Sequence, residues 1–106
     1  HKMNYLKRSI FKFALYICMY KQDTFLTLYR IIRTKLFEPV EKIIEKGKNN
    51  WGYNKKVDTK ITVRLLMYSL TFFTIQQSVF RAEKLDKFDM EKVIRIAVDN
   101  FLKSLK

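Results

Sequence analysis

The sequence predicts an all-α domain, and three observations carry that prediction. Two glycines and one proline in 106 residues leave almost no material for the turns of a β-rich fold. Apolar residues recur at spacings of three and four along most of the chain. The one dense cluster of turn formers, KNNWGYNKKVD at residues 48–58, holds the only tryptophan, Trp51, and one of the two glycines, Gly52. An apolar fraction of 48% and a charged fraction of 30% are globular values, and a chain of this length makes one domain with a real core.

Met3, Leu6, Ile10, Phe13, Ile17 and Tyr20 fall on one face of a first helix. From Ile10 onward its other faces are apolar too, except for Lys12, so this helix is expected to be largely buried, with Cys18 inside it as a small hydrophobe. Lys21, Gln22 and Asp23 interrupt it. Asp23 suits the N-cap of a second helix striped by Phe25, Leu28, Tyr29, Ile32 and Leu36. Pro39 fits the first turn of a short third helix with Val40, Ile43 and Ile44 inward and Glu41, Lys42, Glu45 and Lys46 on a solvated face. Gly47 is its expected stop.

After the 48–58 connector, Asp58 or Thr59 caps a long fourth helix that is expected to run to about Glu83. Asp89 then caps a fifth, with Phe88 and Val93 at the spacing of a hydrophobic staple. Met90, Ile94, Ala97, Phe101 and Leu105 form its main stripe. Five helices result, without internal repeats.

The fourth helix is apolar on two sides. Ile61, Leu65, Tyr68, Phe72, Ile75 and Val79 form one stripe; Val63, Leu66, Leu70, Phe73, Gln77 and Phe80 form another, centred about 150° away. Such a helix is either the central rod of a monomer or packs its own core with one side and a second subunit with the other. The final helix, with Val93, Ile96, Val98 and Leu102 beside its main stripe, is also wider in apolar arc than one contact needs. Two such helices against their symmetry mates make a four-helix homodimer interface.

The composition excludes several classes of function. One Cys and one His, Cys18 and His1, supply neither a disulfide nor a structural zinc site. No nucleophile, base or metal cluster supports an enzyme, and no cofactor is expected. The run 61–80 is long enough to test as a membrane span, but Arg64, Gln76 and Gln77 within it favour a two-sided soluble helix. A single unpaired Cys and no evident cleavable signal fit a reducing, cytoplasmic setting. Of a net charge of +12, residues 1–37 hold eight Lys or Arg against Asp23 alone. That excess attracts polyanions, and Lys7, Arg8, Lys12, Arg30, Arg33 and Lys35 define an alternative function: a freestanding basic module gripping nucleic acid non-specifically.

Three strings resemble the C-terminal regulatory domain of TetR-family transcriptional regulators. FALYICMYKQDTFLTLYRIIRTKL looks like the family's helix pair around a short break. KGKNNWGYNKKVDTKITVRLLMYSL looks like its glycine-aromatic connector and penultimate helix, and FDMEKVIRIAVDNFLKSLK is similar to its closing helix. Together they cover nearly the whole chain. The resemblance implies a five-helix domain whose last two helices form the dimer interface, here Leu66, Leu70, Phe73, Gln77 and Phe80 with Ile94, Ala97, Val98 and Phe101. It also implies a cavity for a small apolar or aromatic effector, with Phe13, Tyr16, Tyr20, Phe25, Tyr29, Tyr68 and Phe72 as the expected lining. Core packing accounts for the same aromatics. The family's helix-turn-helix domain has no counterpart in these residues, so DNA is expected as a partner only through an N-terminal domain missing from this chain.

Overall fold

The computed structural model describes the backbone of residues 2–106 and side chains from Tyr5 onward; the expectations for His1 and for Met3 lie outside the described residues. All regular structure among the described residues is helical. The elements are α1 (Lys2–Tyr20), α2 (Gln22–Ile32), a π-helical segment (Arg33–Phe37), α3 (Glu38–Asn50), α4 (Thr59–Thr74), a second π segment (Ile75–Val79), a 3₁₀ turn (Ala82–Lys84) and α5 (Met90–Ser104).

Four helices are present rather than five, because α2, the first π segment and α3 run on without a break. Pro39 explains the continuity. Its ring excludes the carbonyl four residues back and it has no N–H to donate. A widened turn, in which the Glu38 amide donates to the Arg33 carbonyl five residues earlier, takes up that mismatch and lets the helix pass through. The extra residue also rotates the stripe. Leu36 stays half exposed while Phe37, which the regular period leaves outside, becomes a core residue at 3% exposure.

Helix ends follow local chemistry unevenly. The Asp58 carboxylate accepts from the Ile61 amide at 2.9 Å and caps α4; the Asp89 carboxylate accepts from the Glu91 amide at 3.1 Å and caps α5. Asp23 is not a cap. Lys21 holds the non-helical position, φ −129° and ψ 71°, without a side-chain bond, and Asp23 lies in the first turn of α2. Nor does Gly47 end α3, which continues to Asn50. α4 with its π segment stops at Val79, short of Glu83, because Arg81 adopts a left-handed φ of 62°.

α4 is the hub. It packs against α3, α5 and the first π segment, while its π continuation packs against α1. The main core joins Phe37, Ile44, Val63 and Leu105, with Tyr29, Val40, Met67 and Phe101 against them. Ile75 and Val79 are also buried, since the second π turn swings the end of the first α4 stripe inward. The rest of that stripe, Ile61, Leu65, Tyr68 and Phe72, faces solvent.

The connector closes the core. The Gly47 carbonyl accepts from the amides of Trp51 at 2.8 Å and Tyr53 at 3.2 Å, and Gly52 supplies a φ of 78°. The Asn54 amide donates to the Leu105 carbonyl at 2.7 Å, tying the loop to the end of α5.

α1 is not buried as expected. Tyr5, Leu6, Ile10, Phe13, Tyr16 and Tyr20 are all at least half exposed, and Cys18 is exposed as well. The reason is geometric: among the described residues α1 packs only on α2 and on the 75–79 segment, so most of its circumference there has no layer over it. The whole chain shares this openness. Its accessible surface is 8544 Å², against about 6300 Å² for a compact monomer of this mass. Its radius of gyration is 16.2 Å, where about 13 Å is usual for the length, and it is a slab of 46 × 35 × 20 Å.

Candidate functional site: an apolar face, an aromatic ladder and a basic cleft

An apolar groove of about 620 Å³ runs between α4 and α5. It exists because two helices, each apolar over more than half their circumference, share one contact and leave the adjoining faces uncovered. Of the residues expected at a dimer interface, Leu66, Leu70, Phe73, Ala97 and Phe101 line this groove together. Leu65 and Ile96, not in that expected set, complete its walls. Ile94 and Val98 are partly exposed on other sides of α5, and Phe80 is exposed at the end of the α4 rod.

Gln77 is committed to its own chain. At 7% exposure, its amide nitrogen donates to the Asp86 carbonyl at 2.9 Å, and its amide oxygen accepts from the Phe88 amide at 3.2 Å. Phe88 in turn meets Phe73 edge-on, ring centres 5.2 Å apart. The loop between α4 and α5 is thus fixed against the α4 rod from both sides of one amide.

The residues expected to line an effector cavity divide into groups. Phe25, Tyr29 and Tyr68 are brought together by Phe37, in a ladder with successive ring separations of 6.1, 6.3 and 5.9 Å. Tyr16 and Tyr20 pair on the exposed side of α1 at 5.1 Å, and Phe13 and Phe72 face solvent. None of the seven lines either of the two cavities described in this section.

Arg64 anchors the ladder. Its Nε donates to the Tyr29 hydroxyl at 3.2 Å, its Nη1 to Glu41 at 3.1 Å, and its guanidinium lies 4.9 Å from the centre of the Phe37 ring. The hydrogen bond from Arg64 holds the Tyr29 hydroxyl below its ordinary pKa, because it favours the phenolate. Glu41 is 9% exposed and so does not belong to a solvated face. The sequence signal for this pair was the lone Arg64 in the apolar run 61–80, since a cation in that setting requires a carboxylate partner. Glu45, three-dimensionally next to it along α3, accepts from Thr59 at 2.5 Å and from Lys48 at 3.2 Å, and both bonds lower its pKa.

A second cavity, of about 730 Å³, opens between the start of α1 and the loop after α4. Its lining mixes cations with apolar side chains, and it is not legible in local spacing because residues as far apart as Lys7 and Lys87 meet in it. Arg81 and Glu83, neighbours in the loop that forms one wall, pair at 2.5 Å. Of the residues for the nucleic-acid alternative, Lys7 and Arg8 border this cleft, whereas Lys12, Arg30, Arg33 and Lys35 are exposed on α1, α2 and the first π segment.

Among the described residues no group of side chains could hold a metal ion, and no helix is long and apolar enough to cross a membrane. Comparison with protein-family models, with curated proteins and with solved structures yields no match to this chain.

Proposed function

We propose that this chain is the regulatory and dimerisation domain of a TetR-like transcriptional regulator. Two copies pair through α4 and α5, and a small apolar or aromatic effector adjusts the DNA affinity of a reading domain outside this sequence. The open apolar groove between α4 and α5 carries this reading. The accessible surface exceeds that of a compact monomer by about 2200 Å², while a stable interface needs only about 800 Å² from each partner. A two-fold arrangement of α4 and α5 covers this face with an identical one and completes a four-helix layer.

The effector part of the reading rests on the aromatic ladder of Phe25, Tyr29 and Tyr68 around Phe37, where rings meet tilted or edge-on beside the polar Arg64. The charge on α1 and α2 favours a second reading, a freestanding basic module, because Lys12, Arg30, Arg33 and Lys35 are exposed and form no ion pair among the described residues.

Sedimentation velocity at tens of micromolar tests the first reading. A dimer that Leu65→Lys together with Ile96→Lys converts to a folded monomer supports it; both positions are exposed on the groove, so the fold tolerates the change. A wild-type chain that sediments as a monomer removes its footing. A gel shift with arbitrary duplex separates the readings: binding that survives physiological salt favours the basic module.

A further inference from the structure

We propose that the cleft between the start of α1 and the loop after α4 binds a single-chain amphiphile with an anionic head, carboxylate or phosphate. The site shares only Phe88 with the α4–α5 groove and no residue with the aromatic ladder, and it requires neither dimerisation nor an effector at the ladder.

The lining has the two chemistries such a ligand needs. Lys7 and Arg8 from α1 and Lys87 from the loop bring positive charge from opposite walls, and Ile10, Phe11 and Met90 supply apolar surface. A fourth cation, Arg81, is held by Glu83 at 2.5 Å, so that pair is close to neutral. Lys7, Arg8 and Lys87 make no ion pair among the described residues. Three unneutralised cations beside an apolar floor attract a head group that water alone would keep, while the tail displaces water from Ile10 and Phe11. A volume of about 730 Å³ lies within the range of small-molecule pockets.

The cleft is also held in shape. Gln77 fixes Asp86 and Phe88 on either side of Lys87 by two hydrogen bonds, so the backbone carrying that cation is positioned before any ligand arrives.

Isothermal titration of the full chain with octanoate at low salt tests the proposal, with octyl phosphate, octanol, inorganic phosphate and phosphatidylglycerol vesicles as further arms. Octanoate and octyl phosphate should saturate one site per chain. Octanol, lacking the charge, and phosphate, lacking the tail, should each bind at least about tenfold more weakly. Lys87→Glu, an exposed loop position, should weaken octanoate about tenfold. Lys42→Glu, which changes net charge equally but lies on α3, should leave it unchanged; thermal melts of both variants report whether the fold is intact. Octanol binding as well as octanoate, equal weakening by the two variants, or binding to vesicles without binding to octanoate each overturns the proposal.

Discussion

The ring of Tyr53 lies directly over Gly47, so close that a Cβ on residue 47 would collide with the Cδ2–Cε2 edge of the ring. Gly47 is buried in the middle of a helical turn, where glycine has the lowest propensity of any residue but proline. Its role is close approach. The helix gives up propensity so that the connector can fold back and deliver Tyr53 and the Asn54 amide to the end of α5.

Gly47→Ala should therefore destabilise the chain by about 1–3 kcal/mol, despite a helix-propensity gain of about 1 kcal/mol. Urea denaturation measures it. In Tyr53→Ala the same substitution should lose most of that cost, and a double-mutant cycle that shows no coupling would contradict the close approach.

Removing the Arg64 guanidinium leaves a carboxylate nearly enclosed by protein. Arg64→Met should cost about 3 kcal/mol or more, since Glu41 at 9% exposure then lacks a counter-charge. Pairing it with Glu41→Gln should recover much of the loss. Arg64→Met should also raise the pKa of the Tyr29 hydroxyl, because the Arg64 hydrogen bond is the main cause of its lowering. Ultraviolet titration of tyrosinate reads that shift.

Glu45 gives the chain an acid dependence of definite sign. Hydrogen bonds from Thr59 first, then Lys48, hold its pKa in the folded state below the ordinary value of 4.5. A depressed folded pKa means that the stabilisation is complete above about 4.5 and is lost as pH falls through the lower folded value. Thr59→Val should raise the Glu45 pKa towards 4.5 and flatten that part of the stability profile. Carboxyl NMR titration of wild type and variant checks both.

Gln77→Glu should destabilise by about 1–3 kcal/mol at neutral pH. The carboxylate keeps the acceptor for the Phe88 amide but loses the donor to the Asp86 carbonyl, and it places a charge where exposure is 7%. Hydrogen exchange at the Phe88 amide should stay slow in this variant and become fast in Gln77→Ala. Equal protection in wild type and Gln77→Ala would mean that the loop is held by something else.

Two π turns set the fold apart from the regular helical period of the sequence. At Pro39 the period predicts a helix start, and at Ile75 it predicts that one stripe continues on one face. In both places a turn closed by a hydrogen bond to the fifth residue shifts the register by one position, about 100°. Phe37 and the pair Ile75 and Val79 enter the core for that reason. Periodicity counts residues at a fixed pitch, so it cannot register a local change in pitch.

By itself the sequence determined the helical class, a cap for α4 at Asp58 or Thr59, the Asp89 cap, the break at the cluster around Gly52 and the two-sided apolar character of α4, because each depends on residues within a turn or two of one another. Only the tertiary structure decided which apolar faces are covered, that Arg64 selects Glu41, that Gln77 turns inward to its own loop, and that Lys7 meets Lys87 across a cleft. These pairings join residues 9 to 80 positions apart, and their choice is made by which helices the single hub of α4 can reach, a property of the packed chain that no local spacing encodes.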